Sequence, residues 1–198
     1  MGAKAALRRL TELRSHETFL HEQRVGALAY ALSARLGLPP GTCEAYRHAA
    51  ELHDVGKLAL PDTVLEKPGP LSPAEYALVQ RHTEYGHDLL MASGMPELAL
   101  AAEVALSHHE RWDGSGYPHA LRGEAVPPAA RLVALCDVYA ALREERAYKA
   151  PLSHEATRYY LLHGGAARKG PGSIQFDPAL LAVLASAPEV FEDAFARG

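Results

Sequence analysis

Adjacent metal-ligand residues at separate points of the chain constrain its fold more than any other feature. His53-Asp54 and His108-His109 are such pairs, and Asp137 lies among apolar residues further along. Neutral imidazole and carboxylate groups are the ligands that divalent iron, manganese, zinc and nickel accept. Because these positions are far apart in the sequence, we expect the fold to bring them together into a site that holds more than one metal ion.

Apolar side chains recur at helical spacing through most of the chain, and no convincing β pattern is present. Serine, proline and glycine residues mark the helix boundaries, as in the segment from Ser72 to Glu75, which is typical of a capping box. The pattern predicts an all-α fold with a long structured loop over residues 110–126. The predicted helices cover residues 3–14, 17–36, 42–53, 73–92, 96–108, 128–143 and 154–163, with two more that begin near Pro178 and Pro188.

The composition argues against several classes of protein. A net charge of −4 over 198 residues gives no reason to expect a nucleic-acid polymer as ligand. No apolar run is long enough to span a membrane, and the start lacks a signal-peptide pattern, so the expected location is the cytoplasm. Cys43 and Cys136 lie far apart and are expected to be reduced, buried thiols.

The spacing of the first candidate residues suggests how they share a site. Glu17 and His21 are four positions apart and therefore lie on one helix face. His53 and Asp54 are about 100° apart around a helix axis, so they can reach two metals with Asp54 as the bridge. Lys57 lies on the same face as Asp54 and can hold a phosphate oxygen or orient the attacking hydroxide. For Glu17, His21 and Lys57, an ordinary surface role is the alternative.

Two later segments extend the candidate site. His108 and His109 end a helix, and we expect their rings to diverge so that one faces each metal. A carboxylate at Asp137 is costly to bury in an apolar helix without a cation, and a metal ion supplies that cation. Arg146 and Lys149 follow at the end of the same helix and can bind a phosphate group. A solvated charge patch is the alternative for these two residues.

The order of these segments resembles the HD-GYP family, a branch of the HD phosphohydrolases. The resemblance covers residues 17–178 and rests on the motifs HDVGK, HHERWDGSGYP and DVYAALREERAYK. It implies a single-domain helical bundle over residues 17–186 with a glycine-rich GYP loop. A helix over residues 1–16 and a tail helix over residues 187–198 flank this domain. The chain is then either a stand-alone enzyme or a domain taken from a longer protein.

The resemblance also implies roles for individual residues. Asp54 and Lys57 are implied as catalytic, and His82, which its helical pattern alone does not single out, as a metal ligand. Glu17 matches an extra carboxylate of members with three metals, and Ala140 stands where many members carry a second aspartate. The implied metal ligands are Glu17, His21, His53, Asp54, His82, His108, His109 and Asp137. The implied substrate contacts are Lys57, Gly116, Tyr117, Arg146 and Lys149.

The activity that the resemblance implies is hydrolysis of cyclic di-GMP, a bacterial second messenger, to pGpG and/or GMP. Hydroxide attack at two or three divalent ions, iron or manganese, would be the mechanism. The resemblance also allows regulatory or GGDEF-type protein partners. Two alternatives stay open: a phosphohydrolase that acts on another cyclic dinucleotide or nucleotide, and a non-catalytic cyclic di-GMP receptor or docking module.

Overall fold

The computed structural model describes residues 2–145, 150–164 and 173–198, and within these ranges it has eleven α-helices and no strand. The prediction of an all-α fold is confirmed. The helices are α1 (Ala3–Arg14), α2 (His16–Arg35), α3 (Pro40–Ala50), α4 (Asp62–Leu65), α5 (Pro73–Gln80), α6 (His82–Ala92), α7 (Ala99–Ser107), α8 (Pro128–Arg143), α9 (His154–His163), α10 (Pro178–Ser186) and α11 (Glu189–Arg197). Short 3₁₀ helices cover Val55–Ala59, Pro96–Leu98, Gly123–Ala125 and Ser173–Gln175.

Several helices begin where a side chain satisfies the first backbone N–H groups. Ser15 and Ser153 each accept a hydrogen bond from the backbone N–H three residues later, at the starts of α2 and α9. Ser72 and Glu75 form the expected capping box at the start of α5. Asp177 caps α10 by accepting from the backbone N–H of Ala179, two residues later, and a proline follows it in the first turn. These starts follow from local chemistry, because each cap replaces a hydrogen bond that the helix cannot make.

Helices α2, α3, α7 and α8 form the centre of the molecule. Helix α2 packs against α3, α8 and α11, and α7 packs against α3, α6 and α8. Both cysteines are buried and free. In the described part of the chain, no helix combines the length and the apolar character that crossing a membrane requires. The largest fully buried apolar side chains are Leu28, Leu32, Leu52, Leu60, Leu90, Leu132, Leu135, Tyr139, Leu161, Leu184 and Phe191.

The helix predicted over residues 42–53 ends earlier, at Ala50, so His53 and Asp54 lie in a turn. The backbone N–H groups of Leu52 and His53 donate to carbonyls three residues back, and a 3₁₀ helix follows. This tighter winding carries Gly56 onto α6, a long-range contact that the helical pattern does not contain. The prediction of a continuous helix into the His-Asp pair is therefore wrong.

The helix predicted over residues 73–92 is broken at Arg81 into α5 and α6. The His82 ring donates to the carbonyl of Val79 at 2.7 Å, and the Thr83 hydroxyl donates to the carbonyl of Gln80 at 3.0 Å. Side chains thus occupy carbonyls that backbone N–H groups would use in a continuous helix. The break turns His82 inward, where it is 1 % exposed.

Gly56 and α6 meet backbone to backbone. A Cβ atom at Gly56 would lie 1.9 Å from the carbonyl oxygen of His82 and 2.4 Å from the backbone nitrogen of Gly86. Only glycine fits this position, because any side chain would overlap main-chain atoms of α6. The contact holds the segment that carries Asp54 and Lys57 directly against the helix that carries His82.

Candidate metal centre

Seven side chains converge into two groups whose nitrogen and oxygen atoms could hold metal ions. Within each group, one potential ligand atom from every residue lies within 4.8 Å of the others. The four-residue group is Asp54, His82, His108 and His109. The three-residue group is His21, His53 and Asp137. All seven are among the metal ligands that the family resemblance implied, and the structure brings them together from five separate segments of the chain.

The Asp54 carboxylate faces both groups. Its Oδ1 atom lies 3.3 Å from His82 Nε2 and 3.8 Å from His108 Nε2, within the four-residue group. Its Oδ2 atom lies 3.4 Å from His53 Nε2, in the three-residue group. The Lys57 amine donates to the same Oδ2 atom at 2.5 Å. Asp54 thus lies between the two groups of side chains, with Lys57 beside it.

Backbone carbonyls orient three of the histidines. The Nδ1 atom of His53 lies 2.7 Å from the carbonyl oxygen of Ala50, and that of His82 has the corresponding contact with Val79. The Nδ1 atom of His108 lies 3.0 Å from the carbonyl oxygen of Ala105. A carbonyl only accepts hydrogen bonds, so each Nδ1 donates and each Nε2 faces the centre.

Burial keeps the histidines of the four-residue group neutral. It lowers the pKa of His82, lowers that of His108 well below its usual range, and lowers that of His109 to about 3. Neighbouring histidines lower the pKa values of His108 and His109 further. Metal binding requires a neutral imidazole, so these rings need not release a proton to become ligands.

The three-residue group contains an ion pair. Asp137 Oδ1 lies 2.9 Å from His21 Nε2 and 4.0 Å from His53 Nε2. Burial opposes the charge on His21, but hydrogen bonds with Asp137 and Glu144 outweigh it and raise the pKa of His21 to about 9. Burial would raise the pKa of Asp137, but its hydrogen bond with His21 lowers it below the usual range. The carboxylate in the apolar helix therefore has the cationic partner that its burial requires.

The residues present fit divalent metal ions. His53 Nε2 and Asp54 Oδ1 are buried and make no hydrogen bond with the described residues. Buried polar atoms without a partner are costly, and a cation between the two groups would give both atoms one. The donor set consists of imidazole nitrogen and carboxylate oxygen, which suits iron and manganese equally well.

The consecutive histidines do not diverge as the sequence predicted. The ring centroids of His108 and His109 are 4.1 Å apart, and both rings belong to the four-residue group. The prediction assumed that the helix continues, which would place the two side chains about 100° apart. Helix α7 instead ends at Ser107, and the turn that follows brings both rings to the same side. His82, which its local pattern did not single out, completes this group.

Glu17 lies apart from both groups. It is exposed on the wall of a cleft of about 510 Å³ that His21, Asp54 and Lys57 also line. Among the residues that the structure describes, Glu17 belongs to neither set of ligands. Arg146 and Lys149, the proposed phosphate contacts, lie outside the described residues.

The GYP loop borders a second cleft of about 460 Å³. The Tyr117 ring stacks on His109 with centroids 4.8 Å apart, and burial raises the pKa of the Tyr117 phenol, which stays protonated. A Cβ atom at Gly116 would lie 2.5 Å from the carbonyl oxygen of His109, so a close backbone approach requires this glycine. Lys57 lines this cleft as well as the first one. The two clefts therefore meet at the candidate metal centre.

Two glutamates at the centre were not among the predicted site residues. Glu110 is buried, and its carboxylate accepts hydrogen bonds from the backbone N–H groups of His119 at 2.7 Å and Leu121 at 2.9 Å. Glu144 Oε2 lies 2.9 Å from His21 Nδ1. Glu110 could have been identified from the sequence, because it directly follows the histidine pair. Glu144 follows Asp137 by two helical turns, but its charged neighbours Arg143 and Glu145 made it look like an ordinary surface residue.

A family model described as an HD domain matches residues 5–165. The chain therefore belongs to the HD-domain family, and its resemblance to the HD-GYP branch is confirmed. It is 42 % identical over 173 residues to a 3′3′-cGAMP-specific phosphodiesterase of Vibrio cholerae, which covers 87 % of the chain and 32 % of that protein. It is also 42 % identical over 145 residues to a cyclic di-GMP phosphodiesterase of Thermotoga maritima, covering 73 % of the chain and 39 % of that protein. The chain thus spans about a third of the length of the first relative and about two fifths of the second.

Solved structures share the fold. The HD domain of the L. monocytogenes phosphodiesterase PgpH, in complex with cyclic-di-AMP, aligns with a TM-score of 0.61 at 15 % identity and covers 96 % of this chain and 93 % of that one. An HDG“Y”P protein from Bdellovibrio bacteriovorus aligns with a TM-score of 0.59 at 23 % identity and covers 83 % and 51 %. At these identities the likeness concerns the arrangement of helices alone.

Proposed function

We propose that this domain is a metal-dependent phosphodiesterase that hydrolyses cyclic di-GMP to pGpG and/or GMP. The observation that carries the proposal is the position of Asp54, which faces two groups of buried metal-ligand atoms at the point where two clefts meet. The names of relatives at 42 % identity support this class of substrate. The seven residues of the two groups are all among the metal ligands that the resemblance implied.

Two divalent ions, iron or manganese, would be held by the four-residue group and the three-residue group, with Asp54 shared between them. When bound, such ions lower the pKa of water and neutralise negative charge on phosphoryl oxygens. Glu17 and His21 would hold a third ion on the wall of the first cleft. Glu17 is exposed there, so a third ion would be the easiest to remove.

The residues of this chain have separate tasks in the proposed reaction. The Lys57 amine lies at the meeting point of the two clefts, where its charge can bind a phosphoryl oxygen of the substrate. Tyr117 presents a neutral aromatic side chain to the second cleft, where it can contact a nucleotide. Arg146 and Lys149 would supply further cations for the substrate phosphates. Glu110 keeps the GYP loop in place through its two hydrogen bonds to backbone N–H groups.

A second candidate substrate is 3′3′-cGAMP. The relative named for that activity matches the chain at 42 %, the same identity as the cyclic di-GMP phosphodiesterase of Thermotoga maritima. Both molecules contain guanine and two phosphodiester bonds, so the centre described above would serve either one.

The test is a turnover assay on protein purified anaerobically, with the metal content measured on the same sample. Cyclic di-GMP, 3′3′-cGAMP and cyclic di-AMP are supplied in parallel, and the linear products are separated by chromatography. We expect hydrolysis of at least one guanine-containing substrate and its loss in Asp54→Ala. Binding of cyclic di-GMP without turnover, in protein that contains two ions, would instead identify a receptor.

A further inference from the structure

Glu144 holds one side of the His21 ring, and Asp137 holds the other. Glu144 is the first residue after α8 and follows Asp137 by seven positions, so both lie on the same side of that helix about two turns apart. His21 on α2 lies between them. Its Nε2 atom is 2.9 Å from Asp137 Oδ1, and its Nδ1 atom is 2.9 Å from Glu144 Oε2.

The Glu144 carboxylate is itself held in place. The Arg24 guanidinium donates to Glu144 Oε1 at 3.0 Å, so the two carboxylate oxygens have different partners. Arg24 lies one turn after His21 on α2, and it also packs over the Phe195 ring at 5.5 Å. The side chains of His21 and Glu144 are both 9 % exposed. Hydrogen bonds between charged groups in such a setting are stronger than those at an open surface.

His21 needs a side-chain acceptor because of its place in the fold. His53, His82 and His108 direct Nδ1 to backbone carbonyls near the ends of helices, where carbonyls are available. His21 lies within α2, whose interior carbonyls already accept backbone hydrogen bonds. Glu144, which directly follows α8, supplies the hydrogen-bond acceptor that the local backbone of α2 lacks. An ionised carboxylate only accepts, so Nδ1 carries a proton toward Glu144. Nε2 faces Asp137 in the three-residue group, and it is the atom that would release its proton to bind an ion there.

We propose that Glu144 is a positioning residue that fixes the orientation of the His21 ring, so that Nε2 is presented to a metal ion in the three-residue group. The inference rests on the proposed function, because it requires that the group binds an ion. It goes beyond that function because it attributes part of the metal affinity at this position to the contact between Glu144 and His21. Glu144 does not contact the ion in this proposal. Carboxylates that hold a metal-binding histidine typically change metal affinity roughly 10- to 100-fold when removed.

The test measures Mn²⁺ binding to the metal-free full chain by equilibrium dialysis, for the wild type, Glu144→Ala, Glu144→Gln and the matched control Glu145→Ala. Glu145 is the exposed neighbouring residue, and its replacement makes the same change in net charge. We expect Glu144→Ala to weaken one of the two Mn²⁺ positions roughly 10- to 100-fold and to leave the other unchanged. Glu144→Gln keeps an acceptor for Nδ1, so it should restore most of that affinity, and Glu145→Ala should match the wild type.

Four outcomes would overturn the proposal. These are unchanged Mn²⁺ binding in Glu144→Ala, equal losses in the Gln and Ala variants, a loss of the same size in Glu145→Ala, and absence of Mn²⁺ binding in the wild type. Equal losses would mean that Glu144 binds the ion itself. Arg24→Met removes one group that holds Glu144 and leaves the Glu144 and Asp137 carboxylates in place. It should weaken the same position by a smaller factor if Glu144→Ala does not fold. A wild type that binds two ions without turnover would refute the proposed function and leave the role of Glu144 standing.

Discussion

Replacing Gly56 with alanine tests whether the backbone contact with α6 sets the geometry of the metal centre. The added Cβ atom would lie 1.9 Å from the carbonyl oxygen of His82, which is 1.5 Å short of the 3.4 Å at which ordinary contact begins. Overpacking that side chains can absorb costs about 1–3 kcal/mol. Here the obstacle is main chain, so we expect a loss of at least about 3 kcal/mol in the free energy of unfolding. In a domain of this size, that lowers the melting temperature by about 6–12 °C.

The same substitution should also separate the ligands. Asp54 Oδ1 now lies 3.3 Å from His82 Nε2, and moving the two backbones apart by more than an ångström would open this gap. We therefore expect Gly56→Ala to lose metal from the four-residue group as well as stability. Urea unfolding followed by circular dichroism, together with metal analysis of the purified variant, measures both effects.

Gly41→Ala is the matched control for this prediction. Gly41 lies in the first turn of α3, and a Cβ atom there would meet nothing within 4 Å. Alanine is favoured over glycine in a helix by about 0.5–1 kcal/mol, so Gly41→Ala should be neutral or slightly stabilising. If Gly56→Ala unfolds within about 1 kcal/mol of the wild type, below the range expected for overpacking, and retains its metal, the reasoning from the backbone contact is refuted.

Three further predictions concern individual parts of the structure. His82→Ala removes one nitrogen ligand, so its metal content should fall by one ion per chain and turnover should fall with it; an unchanged metal content by elemental analysis would contradict the assignment of the four-residue group. Ser72→Ala removes the cap of α5 and should lower the free energy of unfolding in urea by about 1 kcal/mol without changing turnover. A loss of metal in this variant would contradict the expectation that the cap stabilises α5 alone. Treatment with a chelator should abolish hydrolysis of cyclic di-GMP, and added Mn²⁺ should restore it; full activity in protein shown to be metal-free would exclude the proposed mechanism.

The features that were predicted correctly from the sequence are those that depend on neighbouring residues. The capping box at Ser72 follows from side chains that bond to backbone groups a few positions away. The apolar surroundings of Asp137 also lie within one helix, and they indicated that this carboxylate requires a cationic partner. His21 is such a partner at 2.9 Å, and the metal ion that the sequence suggested stays a prediction. Such features can be predicted without information about the rest of the chain.

The features that the sequence did not reveal depend on contacts across the molecule. The turn at His53 accompanies the close approach of Gly56 to α6, which lies some thirty residues further along the chain. The break at Arg81 accompanies the inward orientation of His82, whose ring lies in the candidate metal centre. The shared orientation of His108 and His109 depends on the residue at which α7 ends, and helix ends are the least certain part of a periodic pattern.

The three-residue group joins positions that lie far apart along the chain, since His21 and Asp137 are separated by 116 residues. With the proposed ion in place, this group is a cross-link that closes a loop of that length. A disulfide closing a loop of 100 residues stabilises by about 4.7 kcal/mol in the chain-entropy model, because it also restrains the unfolded chain. A metal cross-link is released on unfolding, so it acts by mass action and contributes about 2.7 kcal/mol when the free ion exceeds its Kd a hundredfold. The supply of metal would therefore govern the free energy of unfolding of the domain as well as its rate of turnover.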